Sequence, residues 1–196
     1  MEPDPAWQPG GREPAPGSLA LIQAFVNTEI PEWHRDDVGT PAALAEWLTV
    51  HGLLERGRGA TAGEFVRARA VRQALRELAL ANTLAAPLDA ETRARVDELL
   101  RQVPLVLEAA PDGGIRVRAA GSGVDVALGR LLAIVLEAER NGVWRRLKAC
   151  RQDSCRWLFY DHSRNRSSSW CSMSICGNRV KTRAYRRRRA AGEGPA

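Results

Sequence analysis

Every cysteine in this 196-residue chain falls between positions 150 and 176, as Cys150, Cys155, Cys171 and Cys176. The spacing is C-x4-C, fifteen residues, then C-x4-C. One tetrahedral zinc ion asks for this arrangement: each close pair turns tightly enough to aim two thiolates at a point, and the span between them returns the chain. Arg156 to Trp170 is expected to make that return as a hairpin, with its tip at His162–Arg166. The second pair stands where a helix is expected to begin, and the free amides there favour thiolate. Four thiolates fill the shell and leave no position for water, which points to a structural ion. Two disulfides or inert buried thiols are the competing readings. The gathering of all four cysteines in one pattern argues against both.

The formal net charge of +6 hides an asymmetry. From Trp144 onward there are 14 Lys and Arg against 3 acidic residues, whereas the 143 residues before carry 15 basic and 20 acidic. The basic part needs an anionic partner or a solvated face. Beyond Cys176 the sequence has helical composition with no breaker before Gly192. Arg179, Arg183 and Arg186 or Arg187 fall on one stripe, and Lys181 and Arg188 are read as lying beside it. The expected hairpin tip adds Arg164 and Arg166. A metal-pinned helix with an arginine stripe suits duplex DNA, its charges meeting phosphates and its arginines able to read guanine edges. Asn178 is open to capping, to bonding near a thiolate, or to touching a base. Arg179 is open to phosphate contact or to bracing Asp161. Trp144, Trp157 and Trp170 are expected to pack around the metal core.

The N-terminal part reads as helical. Met1 to Gly17, with five prolines and no apolar run, is expected to be disordered, as is the end of the chain, residues 190–196. Leu19, Ile22, Phe25 and Val26 share a face of a helix from Ser18 to Thr28. Thr40-Pro41 and Asp89 mark helix starts, and Thr61 with Glu64 makes a capping-box pattern. Pro104 ends a helix, and Leu105–Glu108 and Ile115–Arg118 flank Asp112-Gly113-Gly114 as a β-hairpin. Ser122 and Asp125 suggest the cap of one more, deeply buried helix. Asn27, Thr28, Trp33 and His34 follow an apolar helix face and are candidates for the rim of a ligand pocket. The domain border is expected near Asn141-Gly142, giving a helical domain over 18–142 and a finger over 143–189.

No signal peptide is visible, and no stretch approaches the ~18–20 apolar residues of a membrane span. The chain is expected in the cytoplasm, at the nucleoid, without a membrane partner. Phosphate-loop, HExxH and nucleophile-elbow patterns are absent, which argues against an enzyme.

Cys171-Ser172-Met173-Ser174-Ile175-Cys176-Gly177-Asn178-Arg179, with Phe159-Tyr160-Asp161 and Ser163-Arg164-Asn165 ahead of it, resembles the CGNR zinc-finger family. Phe25-Val26-Asn27-Thr28, Trp47-Leu48 before His51-Gly52-Leu53-Leu54, and Leu75-Arg76-Glu77 resemble the ABATE domain that precedes such fingers. The resemblance implies a bacterial transcription regulator that binds DNA through the finger and senses an effector through the N-terminal domain. The expectation is therefore a mainly α N-terminal domain with a small β-hairpin, then a small treble-clef-like four-cysteine zinc finger ending in a basic helix. It would hold one structural zinc ion and bind duplex DNA. A small-molecule effector and a homodimer are its further candidate partners. The rival readings are an RNA- or ribosome-associated zinc protein and an enzyme with its site in the N-terminal domain.

Overall fold

Capping residues set the helix boundaries. Thr40 Oγ accepts the Ala43 amide at the start of α2 (Pro41–Val50), and Asp89 accepts that of Thr92 at the start of α4 (Ala90–Arg101). Thr61 and Glu64 make a complete capping box on α3 (Ala62–Leu84), satisfying amides that the helix leaves open. The cap expected at Ser122 and Asp125 is not made. Gly123, at φ 58°, caps α5 (Val124–Arg140), Glu64 accepts the Val124 amide at 3.2 Å, and Asp125 pairs with Arg67 of α3. The capping box of one helix thus also closes the start of another.

The computed structural model describes residues 8–190. Of the tails expected to be disordered, residues 1–7 and 191–196 lie outside the described residues. Among the described residues, three antiparallel two-stranded sheets are present: β1 (Glu29–Ile30) with β2 (Arg35–Asp36), β3 (Leu105–Ala109) with β4 (Ile115–Ala119), and β5 (Leu147–Ala149) with β6 (Leu158–Tyr160). The second is the expected hairpin. The third differs from expectation, because its strands straddle the first cysteine pair instead of following it. The stretch 161–170 cannot return as a strand pair because its polar groups are engaged by a side chain. Asp161 accepts the amides of Ser163 and Ser168 and both their hydroxyls, a turn-forming use of aspartate.

The main core gathers Ile22, Phe25 and Val26 of α1 (Leu19–Asn27), Leu44 and Leu48 of α2, Val71 and Leu75 of α3, and Leu128 and Leu131 of α5. It does not stop at the expected border. Leu147, Ala149, Leu158 and Tyr160 belong to the same core, while Phe159, between Leu158 and Tyr160, lies in the cysteine cluster. Side chains alternate across a strand. The β5–β6 hairpin is therefore one wall with two faces, helices on one side and cysteines on the other. Its polar edges are fastened as well. Asn82 Nδ2 donates to Leu147 O at 2.9 Å, Thr83 Oγ1 donates to Ala149 O at 2.7 Å, and Asn27 makes a paired bond with the Leu158 backbone, 2.9 Å out and 2.8 Å back.

The segment 8–17, expected to be disordered, is docked. Pro9 and Ala15 are buried, and Gln8 and Gln23 bond to each other at 2.8 Å in the interior. Arg12 donates to Cys171 O at 2.7 Å and to Trp170 O at 3.2 Å, and its guanidinium lies 4.8 Å from the centre of the Phe159 ring. Gly10 is required here: its φ is 73°, and a Cβ would stand 2.6 Å from Ser172 Oγ. Proline and glycine, read as signs of disorder, instead shape a strap that lies against the cysteine region.

Candidate metal centre and nucleic-acid interface

The first cysteine pair occupies the turn between β5 and β6. Cys150 donates its amide to Trp157 O at 2.8 Å, and Cys155 donates to Gln152 O at 2.9 Å. Of the second pair, Cys176 stands in the turn Met173–Gly177 just before α6 (Asn178–Ala190), where its amide donates to Ser172 O at 3.0 Å, and Cys171 stands just ahead of that turn. All four thiols are free and buried, and their sulfurs lie within 4.8 Å of one another. Cys155 and Cys171 are 3.7 Å apart, and Cys171 and Cys176 are 3.6 Å apart. A zinc–sulfur bond of about 2.3 Å in a tetrahedron sets sulfurs about 3.8 Å from each other. The arrangement fits the ion.

The protons tell the same story. Thiol donors Cys155 and Cys171, followed by the amides of Cys171 and Gln152, push Cys150 down to about 2. The protons those two thiols give to Cys150 push them up in turn. Burial pushes up Cys176. Without a cation, one thiolate is held by its neighbours' protons; a divalent ion replaces those protons. Trp157 and Trp170 pack against this cluster, whereas Trp144 lies in the main core. A Cβ at Gly177 would meet the Met173 side chain, so the glycine makes room for Met173.

One buried ion pair braces the centre. Lys148 Nζ donates to Asp161 Oδ2 at 2.8 Å, to Ser168 O at 3.1 Å and to Arg166 O. Burial alone would raise the Asp161 carboxyl, but Lys148, Ser163 and Ser168 together hold it well below the usual carboxylate range. Asp161 is thus fully engaged, and Arg179 does not brace it. Arg179 pairs instead with Glu32, in the turn between β1 and β2.

A model of a CGNR zinc finger matches residues 146–189. A second family model, ABATE, described as "Putative stress-induced transcription regulator", matches residues 19–139. The chain belongs to the ABATE family. Its architecture is an ABATE region followed by a CGNR finger, and Cys150, Cys155, Cys171 and Cys176 form one structural zinc site. No curated protein matches the chain. Among the described residues, no helix is long and apolar enough to cross a membrane.

Arg183 and Arg186 are exposed on α6, in line with Arg179. Arg187 lies on the same helix. Lys181 is exposed two residues from Arg179, and helical periodicity sets it across the helix from the stripe, not beside it. Asn178 is exposed at the start of α6. Arg164 and Arg166 are exposed on the loop 161–170, and no hydrogen bond or ion pair among the described residues joins their side chains to α6.

The ABATE-region candidates separate. Asn27 and Thr28 are buried and face inward: Asn27 holds Leu158, and Thr28 Oγ1 donates to Phe25 O and accepts from Arg72. They are not a pocket rim. Trp33 and His34 are exposed on the β1–β2 turn. Sequence reasoning missed Gln8, Arg12, Glu32 and Lys148. Lys148 had a signal in the alternation Leu147-Lys148-Ala149, whereas the partners of the other three are distant in sequence.

Proposed function

We propose that the protein is a DNA-binding transcription regulator whose finger depends on zinc for its shape and whose ABATE region senses an effector. One observation carries the DNA-binding part. Arg183 and Arg186 stand exposed, in line with Arg179, on a helix that begins two residues after the zinc ligand Cys176, so the metal sets where the charges stand. Fixed cations in a row suit the regular phosphate track of a duplex. The reading does not invoke catalysis, and three groups able to act as acid or base are engaged in structural contacts. Asp161 braces Lys148, Glu64 caps two helices, and His51 stacks on Trp47 at 3.8 Å.

A cavity of about 560 Å3 between α3 and α4 supports the sensing part, in place of the residues first considered. Ala70, Ala74, Val96 and Leu99 line it together with charged residues such as Glu77 and Arg95, and small-molecule sites combine apolar lining with a few polar groups. The same helix α3 holds β5 through Asn82 and Thr83. An effector that shifts α3 moves the finger.

The test is DNA binding by fluorescence anisotropy over a salt series with zinc-loaded protein. Contact with about four to six phosphates gives a log–log slope near −4 to −5, and Arg183→Ala with Arg186→Ala lowers it by about two. A slope near zero sinks the DNA reading. Tighter binding to a structured RNA than to any duplex replaces it with the RNA-associated one.

A further inference from the structure

The ABATE region reaches the basic helix through the β1–β2 turn. Glu32 in that turn pairs with Arg179, which opens the arginine stripe of α6. The turn therefore lies on the stripe's own side of the helix, at its first turn. Three large apolar side chains are exposed at this corner: Trp33 at 52%, Met173 at 45% and Ile175 at 39%. Met173 and Ile175 stand in the turn immediately before α6. Trp33 is presented on a fixed turn. Pro31 begins it, the His34 amide donates to Pro31 O at 3.2 Å, and His34 closes it with a φ of 50°.

Where the stripe's arginines meet phosphates they position a protein without reading bases, and a contact of another kind is needed to touch a base face. The acid Glu32 occupies Arg179 and so ends the phosphate track at this corner. The residue after Glu32 is an exposed indole, and the turn that leads into the same end of the helix carries Met173 and Ile175. Aromatic and apolar side chains at the border of a basic track stack on bases or wedge between base steps.

We infer, on the strength of the DNA-binding reading above, that Trp33 of the ABATE region contacts DNA bases, so that the DNA surface is built from both parts of the chain. α6 takes the phosphates, and Trp33, with Met173 and Ile175 at the same end of the helix, takes a base face. The partner is duplex DNA, identified by the charge of the adjoining stripe. The residues 27–34, first considered as a pocket rim, thus divide between Asn27 and Thr28 as internal fasteners and Trp33 as a surface contact.

The experiment uses the zinc-loaded full chain and a labelled mixed-sequence duplex of about 20 base pairs, long enough to offer about two turns of groove. Wild type, Trp33→Ala, Trp33→Phe and the Arg183→Ala, Arg186→Ala double variant are compared over a salt series, with zinc content and helicity measured on each. Trp33→Ala should weaken binding by about fivefold to a hundredfold, the range for loss of one stacked base, with the salt slope unchanged. Trp33→Phe should restore most of the loss, and DNA-induced quenching of tryptophan emission should fall in that variant. Binding by Trp33→Ala within twofold of wild type, while the arginine variant still lowers the slope, overturns the inference and leaves the basic helix standing. If Trp33→Ala loses zinc or helicity, the Trp33→Phe quenching decides: quenching equal to wild type overturns the inference, and diminished quenching sustains it. Wild-type protein that binds no duplex at low salt overturns the DNA-binding reading itself.

Discussion

The ABATE region and the finger are held together by different physics, although one hairpin belongs to both. In the ABATE region, helices bury apolar faces, and the buried polar groups include two arginines matched to carboxylates. Arg72 makes two 2.7 Å bonds to Asp36, and although burial works to raise that carboxyl, Arg72 holds it below its ordinary value. In the finger the centre is four sulfurs, one lysine–aspartate pair and a few aromatics. A small finger rarely buries enough surface to fold unaided. This one borrows a finished wall. β5 and β6 turn Leu147, Ala149, Leu158 and Tyr160 to the helices and keep Lys148 and Phe159 for the metal side. The difference teaches that the expected border at Asn141-Gly142 marks a change of chemistry and not a gap in the core.

The largest effect should come from the metal. Cys171→Ser, or strong chelation, removes a binding energy on the order of 10 kcal/mol. If the wall is common to both parts, the ABATE helices should melt at a lower temperature once the finger is lost. Circular dichroism with and without zinc checks this, and an unchanged helical transition would divide the molecule at residue 142 after all. Next, Asp161→Asn leaves Lys148 buried without its counter-charge and should cost about 3–5 kcal/mol, read from urea unfolding. Its sign with pH is fixed. The folded carboxyl lies below its unfolded value of about 3.9, so the stabilisation is present above that pH and disappears as pH falls toward the folded value. The gap between wild type and variant should therefore close on acidification.

The cysteine pattern, the caps at Thr40, Thr61 and Asp89, and the β3–β4 hairpin were legible because each is written in a short stretch of sequence. The β5–β6 wall was not, because strands of three residues show hardly one period of alternation. The strap was hidden for a related reason. Its Gln8 and Arg12 find partners 15 residues away at Gln23, and 158 and 159 away at Trp170 and Cys171, and its composition matches that of disordered segments. Arg179 carried a strong sequence signature, but its partner Glu32 stands 147 residues earlier.

Two smaller effects sharpen the comparison. Asn27→Ala removes two bonds to the Leu158 backbone, while Leu158 O still accepts from Gln23 at 3.1 Å, and should cost about 2 kcal/mol. That loss should appear in the zinc-loaded protein as faster hydrogen exchange at Leu158, far from any metal ligand. Glu32→Gln should change stability by less than about 1 kcal/mol, as for other exposed pairs. It frees Arg179, however, and should steepen the salt slope of DNA binding by about one unit. An unchanged slope would mean that Arg179 stays out of the phosphate track for another reason.

The strap and the wall together impose an order on synthesis. The helices 19–140 emerge from the ribosome before β5 and β6 exist, so the faces of α1 and α3 that Leu158 and Ala149 will cover stay open to water. At about 5–20 residues per second, several seconds pass between the end of α3 and the arrival of Cys176. Only then can the metal close the finger and the strap, made ahead of the helices, lie down against Cys171. Those helix faces find their cover only when the last cysteine has arrived, so the end of the chain completes what its middle leaves open.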